Sequence, residues 1–189
     1  MKPPTVGYVL GSGWTLPVDD LPRLSGSLTI GVNYILRSGF VPTALLWSDA
    51  AVQVNAEYRD EMLASGAMLI APTYLKHRWP GAVDEVHWIS DDYEGSGNSG
   101  VSAAVLMFRL GVVSVQMLGC SCTSSDDGRV HFYETARPSR PVHTGGLYNS
   151  RNKAQERFGD LISVDDTIGD VGEQYSQDHL RSWLVGEAR

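Results

Sequence analysis

This chain has few cysteines, little positive charge and no long apolar run. Its 189 residues include two cysteines, Cys120 and Cys122. With one residue between them they cannot staple distant parts of a fold, as the disulfides of small secreted domains do. They are expected as small buried fillers at a strand end. A metal site there would need two further ligands, and His131 is the one obvious recruit, so no metal is expected. Lysine and arginine total 15 against 22 aspartates and glutamates, a formal charge of −7. That balance excludes a surface that grips nucleic acid through its phosphates alone, which needs clustered Lys and Arg. Arg129, Arg137, Arg140, Arg151, Lys153 and Arg157 do gather in the C-terminal third, while Val83 to Glu94 is acidic; both read as solvated faces. No run approaches the roughly 18 apolar residues of a membrane-spanning helix, and Met-Lys-Pro-Pro leads into no signal-peptide core. A cytoplasmic protein without a membrane span is expected.

What the chain does have is alternation. Strand-like segments at Val6–Leu10, Leu28–Val32, Ala44–Trp47, Ala67–Ile70, Val86–Ile89 and Val112–Leu118 are separated by segments of helical period. This pattern predicts a Rossmann-like α/β fold with a mainly parallel, doubly wound sheet. The length suits one domain over residues 1–189. Ala50 to Ala64 reads as one amphipathic helix with Ala51, Val54, Tyr58 and Met62 on a face, capped by Asp49. Ser99 to Leu110 is apolar on every face, which predicts a buried helix ended by Gly111. Gly119 to Asn149 has little periodicity and reads as a lid or acceptor loop serving a site. A helix over Ser150–Phe158, a short strand over Leu161–Val164 and a closing helix over Tyr175–Val185 complete the pattern.

Small polar residues follow the strands at Gly11-Ser12-Gly13, Asn33, Ser48-Asp49 and Gly119-Cys120-Ser121. In an open α/β sheet ligands bind beyond the carboxyl ends of the strands, so these groups are expected around one crevice. Glycines at 11 and 13 would let phosphate oxygens approach backbone N–H groups, although the turn also reads as a plain strand-to-helix turn. No third glycine of a dinucleotide fingerprint follows, since position 16 is Leu16, and there is no Gly-Lys-Ser/Thr of a P-loop. Asn98-Ser99-Gly100, at the end of a glycine-rich stretch, opens the buried helix and suits a phosphate or carboxylate.

Gly-Ser-Gly-x-x-Leu at Gly11–Leu16, Ile-Gly-Val-Asn at Ile30–Asn33, Ser-Gly-Asn-Ser-Gly before the buried helix and Val-Gln-Met-Leu-Gly-Cys-Ser up to Ser121 have a combined likeness. They resemble the bacterial sialyltransferases of glycosyltransferase family 42 and related phage and bacterial proteins. The resemblance runs in order from Val6 to Thr123 and fades afterwards. It implies that Gly11, Ser12, Gly13, Asn33, Ser48, Asn98, Ser99 and Gly100 contact a nucleotide-sugar donor. Gly119 and Ser121 take the place of the family's strand-end motif, with Ser121 where an Asp is usual and Thr123 where a tyrosine is usual. These departures leave the donor as a CMP-sugar or a UDP-sugar. By the same resemblance a histidine after that strand deprotonates the acceptor hydroxyl, with His143 named first and His131 second, and Tyr133 and Tyr148 steady the donor phosphate.

The expected activity is therefore a metal-independent glycosyltransferase with no tightly bound cofactor. Its acceptor would be a glycan or a hydroxymethylated DNA base, and a homo-oligomer stays open. Two alternatives stand beside it. A pterin or nucleotide diphosphotransferase would need Mg²⁺ and a carboxylate pair, for which Asp91-Asp92 and Asp126-Asp127 are candidates. A non-catalytic small-nucleotide-binding protein would bind without turnover.

Overall fold

A computed structural model of the chain describes residues 5–90, 98–121, 123–135, 150–163, 165–169, 171, 174–175 and 177–187. Among the described residues seven strands form one sheet: β1 (Val6–Leu10), β2 (Thr29–Val32), β3 (Ala44–Leu46), β4 (Met68–Pro72), β5 (His87–Ile89), β6 (Ser114–Leu118) and β7 (Ile162–Ser163). Their spatial order is β5-β4-β3-β2-β1-β6-β7. Every neighbouring pair is parallel. The chain thus steps outward from β1 to β5 and crosses back over the sheet to place β6 on the other flank of β1. The fold is Rossmann-like and doubly wound, and its order reverses between β1 and β6.

Alternation along the strands explains why both faces are covered. Ala44 and Leu46 face one core with Ile30, Met68 and Ile70, whereas Leu45 and Trp47 face the other with Leu69 and Ala71. The first core is roofed by α3 (Ser99–Arg109), whose residues from Ser99 to Met107 are all buried. This helix crosses β1, β2 and β6, and Gly111 ends it in a left-handed turn (φ 87°). Helices α4 (Ser150–Phe158) and α5 (Gln177–Glu187) extend that layer with Ala154, Leu180 and Leu184. The opposite core is covered by 3₁₀ turns at Val18–Leu24, Ile35–Ser38 and Thr73–Arg78 and by two short helices.

Those two helices replace the single one expected over Ala50–Ala64. Asn55 stands extended (ψ 104°) between α1 (Ala50–Val54) and α2 (Ala56–Ala64), and its side chain accepts from Tyr58 N at 3.1 Å. An Asn that bonds the backbone ahead of it starts a new helix rather than continuing the old one. The break resets the phase: Val54, expected on the buried stripe, is 62% exposed, while Gln53 is fully buried. The closing helix also begins two residues later than the pattern suggested. Among the described residues no helix is long and apolar enough to cross a membrane.

Candidate functional site

A cavity of about 570 Å³ opens beyond the carboxyl ends of β2, β3 and β4, against the first turn of α3. Its wall is made by side chains that follow the strands. After β2 the chain turns through Asn33, a non-glycine residue with positive φ in the described chain (53°). Asn33 N donates to Leu46 O at 3.2 Å, and the Tyr58 hydroxyl donates to Asn33 O. After β3 comes Ser48, whose carbonyl accepts from the Tyr74 hydroxyl at 2.7 Å. Asp49 then caps α1 through Ala51 N at 2.8 Å.

Across the cavity, Asn98 caps α3 by accepting from Val101 N at 3.2 Å and from Ser150 Oγ at 2.7 Å. Ser99 links the two sides. Its hydroxyl donates to Asn33 Oδ1 at 3.1 Å, because a carbonyl oxygen can only accept. Having one proton, it must then accept from Ser48 N at 3.0 Å and from Ser48 Oγ at 2.8 Å. The relay therefore has a direction. Ser48 Oγ keeps its lone pairs, and Asn33 is left with its Nδ2 donors, which have no partner among the described residues.

The third wall is the 3₁₀ turn Thr73–Arg78, which contributes Tyr74, Leu75, His77 and Arg78. It is anchored from below: fully buried Trp47 donates its Nε1 to Gln53 Oε1 at 3.0 Å, and Gln53 Nε2 donates to Leu75 O at 3.1 Å. Losing either partner would strand the other's polar atom in the core, at about 1–3 kcal/mol. At the rim the Arg78 guanidinium donates through Nε to His77 Nε2 at 3.2 Å. Arg78, the α3 N-terminus and the Asn33 amide thus turn positive or N–H-bearing groups toward the cavity, with Asp49 as the opposing carboxylate.

The first glycine turn is placed differently from the second. Gly11 N donates to Leu118 O at 2.8 Å and Gly13 N to Gly119 O at 2.9 Å. A Cβ on Gly11 would stand 2.4 Å from Gly119 O, and one on Gly13 at 2.5 Å. These glycines let the ends of β1 and β6 meet backbone to backbone, so their N–H groups are already paired. The segment after β6 then folds back over the turn: Trp14 N donates to Val130 O at 2.9 Å, Phe132 N donates to Ser12 O at 3.2 Å, and Gly13 bridges to His131. The His131 Nδ1 sits 3.2 Å from Ser12 O and 3.3 Å from Ser12 Oγ. A carbonyl can only accept, so Nδ1 carries the proton and the lone pair lies on Nε2. His131 stacks on Tyr133 with ring centroids 5.2 Å apart. Burial pushes the Tyr133 hydroxyl pKa up, against the lowering effect of Arg37, whose guanidinium lies 4.8 Å from the rings of both Tyr34 and Tyr133.

Of the residues singled out from the sequence, the cavity gathers Asn33, Ser48, Asp49, Asn98, Ser99 and Gly100. Gly11, Ser12, Gly13, Gly119, Ser121, His131 and Tyr133 do not line it; Ser121 Oγ instead lies 3.4 Å from Thr15 Oγ1 and 3.1 Å from Thr123 Oγ1. The expected single crevice is thus a cavity beside a packed corner. His143, Tyr148 and Asp91-Asp92 lie outside the described residues. The Asp127 carboxyl is held down to about 2, chiefly by its hydrogen bonds from Arg129 and Ser125, so it is occupied by its own neighbours. Arg151, another member of the basic group, pairs with Asp166, which also accepts from Gly119 N at 2.9 Å. Among the described residues no three His, Cys, Asp or Glu side chains cluster as a metal site would require. Sequence reading passed over Tyr74, His77, Arg78 and Ser150. The run Lys76-His77-Arg78 after β4 was the signal available for two of them, while Tyr74 and Ser150 had none.

The chain matches no protein-family model, no curated protein and no solved structure.

Proposed function

We propose that the chain is a glycosyltransferase-like enzyme that holds a nucleotide-activated sugar in this cavity and passes the sugar to an acceptor hydroxyl. The observation that carries the reading is the position of the cavity: outside the carboxyl ends of parallel strands and against the N-terminus of the 11-residue α3. The first-turn N–H groups of a helix have no intrahelical partners, so Ser99 and Gly100 offer donors there with the positive end of the helix dipole. A volume of about 570 Å³ falls within the range of small-molecule sites, roughly 300–1,000 Å³. The donor phosphate would rest on that turn, with Arg78 at the rim and the Asn33 amide donating to a ligand oxygen. The donor is a CMP-sugar or UDP-sugar, and the acceptor a glycan or a hydroxymethylated DNA base.

In the transfer, the acceptor oxygen forms a bond to the anomeric carbon while the bond to the nucleotide phosphate breaks and its electrons leave with the phosphate. The acceptor proton goes to a histidine. His143 is the first candidate; His131, which does not line the cavity but stands in the packed corner beside it with Nδ1 bonded to Ser12 O, is the second. Positioning and charge stabilisation come from the α3 turn and Arg78.

The test is a thermal-shift and calorimetric screen of CMP, UMP, UDP and ATP, and of the sugar conjugates of the first three, each with Mg²⁺ and with EDTA. A ligand at a hundred times its dissociation constant adds about 2.7 kcal/mol of stability. Stabilisation by a nucleotide that survives EDTA supports the reading. Stabilisation only by ATP with Mg²⁺ would redirect it to a diphosphotransferase, and no response to any nucleotide would overturn it.

A further inference from the structure

Tyr58 belongs to no surface of the cavity, yet it reaches one of the cavity's residues. It lies on α2, 1% exposed, and its hydroxyl donates to Asn33 O while accepting from Leu36 N at 3.4 Å. Asn33 occupies left-handed backbone that a side-chain-bearing residue adopts at a cost, and single residues are held there by surrounding bonds. Three such bonds converge on Asn33: its N–H to Leu46 O, its carbonyl from Tyr58, and its Oδ1 from Ser99. Two of them belong to the sheet and the relay. The third comes from a buried phenol on another element, whose ring packs on Tyr34 with centroids 4.7 Å apart.

We propose that Tyr58 is a positioning residue that locks Asn33 in this conformation, so that Asn33 holds its Oδ1 on Ser99 and offers its Nδ2 donors to the cavity. The site then favours, at this point, a ligand group with free lone pairs: a phosphoryl, carbonyl or hydroxyl oxygen. The preference follows from the orientation of the amide. One lone pair of Asn33 Oδ1 is taken by the Ser99 hydroxyl, which fixes the amide and leaves the Nδ2 protons for a ligand oxygen. Were Asn33 to relax, the amide could turn and this preference would weaken. Burial raises the Tyr58 hydroxyl pKa, so the phenol stays protonated and able to donate throughout the neutral range.

The inference rests on the proposed nucleotide site, and the experiment separates the two. Calorimetric dissociation constants for CMP and UMP are measured on the whole chain as wild type, Tyr58→Phe, Asn33→Ala and the double variant, well below each variant's melting temperature. Tyr58→Phe is expected to weaken the better-bound nucleotide about 3- to 10-fold, the range for one neutral hydrogen bond. In the Asn33→Ala background the same change should have no further effect, since Tyr58 acts through the Asn33 side chain. Equal binding by Tyr58→Phe, or losses that multiply in the double variant, would overturn the inference while leaving the nucleotide site standing. If the wild type binds neither CMP nor UMP, the nucleotide reading fails for both probes, and the lock is then read without ligand. The Asn33 side-chain amide resonances, identified by their absence in Asn33→Ala, should shift in Tyr58→Phe; unchanged resonances would overturn the lock.

Discussion

Gly11→Ala asks what the first glycine turn is for. The new Cβ would stand 2.4 Å from Gly119 O, 2.7 Å from Cys120 Sγ and 2.9 Å from Gly119 C. Two of those atoms are backbone, and Gly119 O is itself accepting from Gly13 N, so neither can swing aside as a side-chain end would. Forcing atoms into a packed interior costs about 1–3 kcal/mol. Pushing the turn outward would also stretch the 2.8 Å bond from Gly11 N to Leu118 O, worth about 1 kcal/mol. The expected loss is about 3 kcal/mol. For a chain of this length that lowers Tm by about 9 °C. Urea unfolding followed by tryptophan fluorescence measures it, with the slope of the transition unchanged if the folded and unfolded states keep their compactness. Because the cavity lies against the other glycine turn, the folded fraction at low temperature should bind nucleotide as the wild type does. A variant that keeps wild-type stability but loses nucleotide binding would refute this reasoning and return the phosphate to the first turn.

The second turn faces the cavity and also caps α3. Asn98→Ala removes the cap on Val101 N and strands Ser150 Oγ, for an expected loss of about 1–2 kcal/mol in urea, and Asn98→Asp should recover most of it. His87, half-buried at the edge of the sheet, has its pKa lowered from 6.5 by burial and then by Arg181. The folded state therefore favours neutral imidazole, and the unfolded chain takes up the proton first. That contribution is fully present above pH 6.5 and is lost as pH falls below it toward the folded value. The Tm of the wild type should fall over that interval more than the Tm of His87→Gln; equal slopes would show that His87 titrates alike in both states.

The strands were legible because each is a short apolar run bounded by turn residues, and a parallel strand covered on both faces has that composition. The buried character of α3 was legible for the same reason: apolar residues all round leave no face for water. The break at Asn55 was not. An Asn inside a periodic stretch is compatible with a continuous helix, and whether its side chain bonds forward to Tyr58 N depends on where α2 docks. The six cavity residues found from the sequence share a local signal, a small residue just after a strand or at the start of a helix. His77, Arg78, Tyr74 and Ser150 come from a 3₁₀ turn and a helix start whose positions depend on how they pack, so adjacency to a strand end could not select them.

The sequence by itself determined the α/β class, the order of its elements and the set of groups available beyond the strand ends, because periodicity and turn chemistry act over a few residues. Only the tertiary structure decided how those groups are divided. Gly11-Ser12-Gly13 and Asn98-Ser99-Gly100 look alike along the chain, yet one meets the backbone of Gly119 and the other faces an open cavity. The difference comes from the crossover that sets β6 beside β1, a contact between residues more than a hundred positions apart that no local pattern encodes.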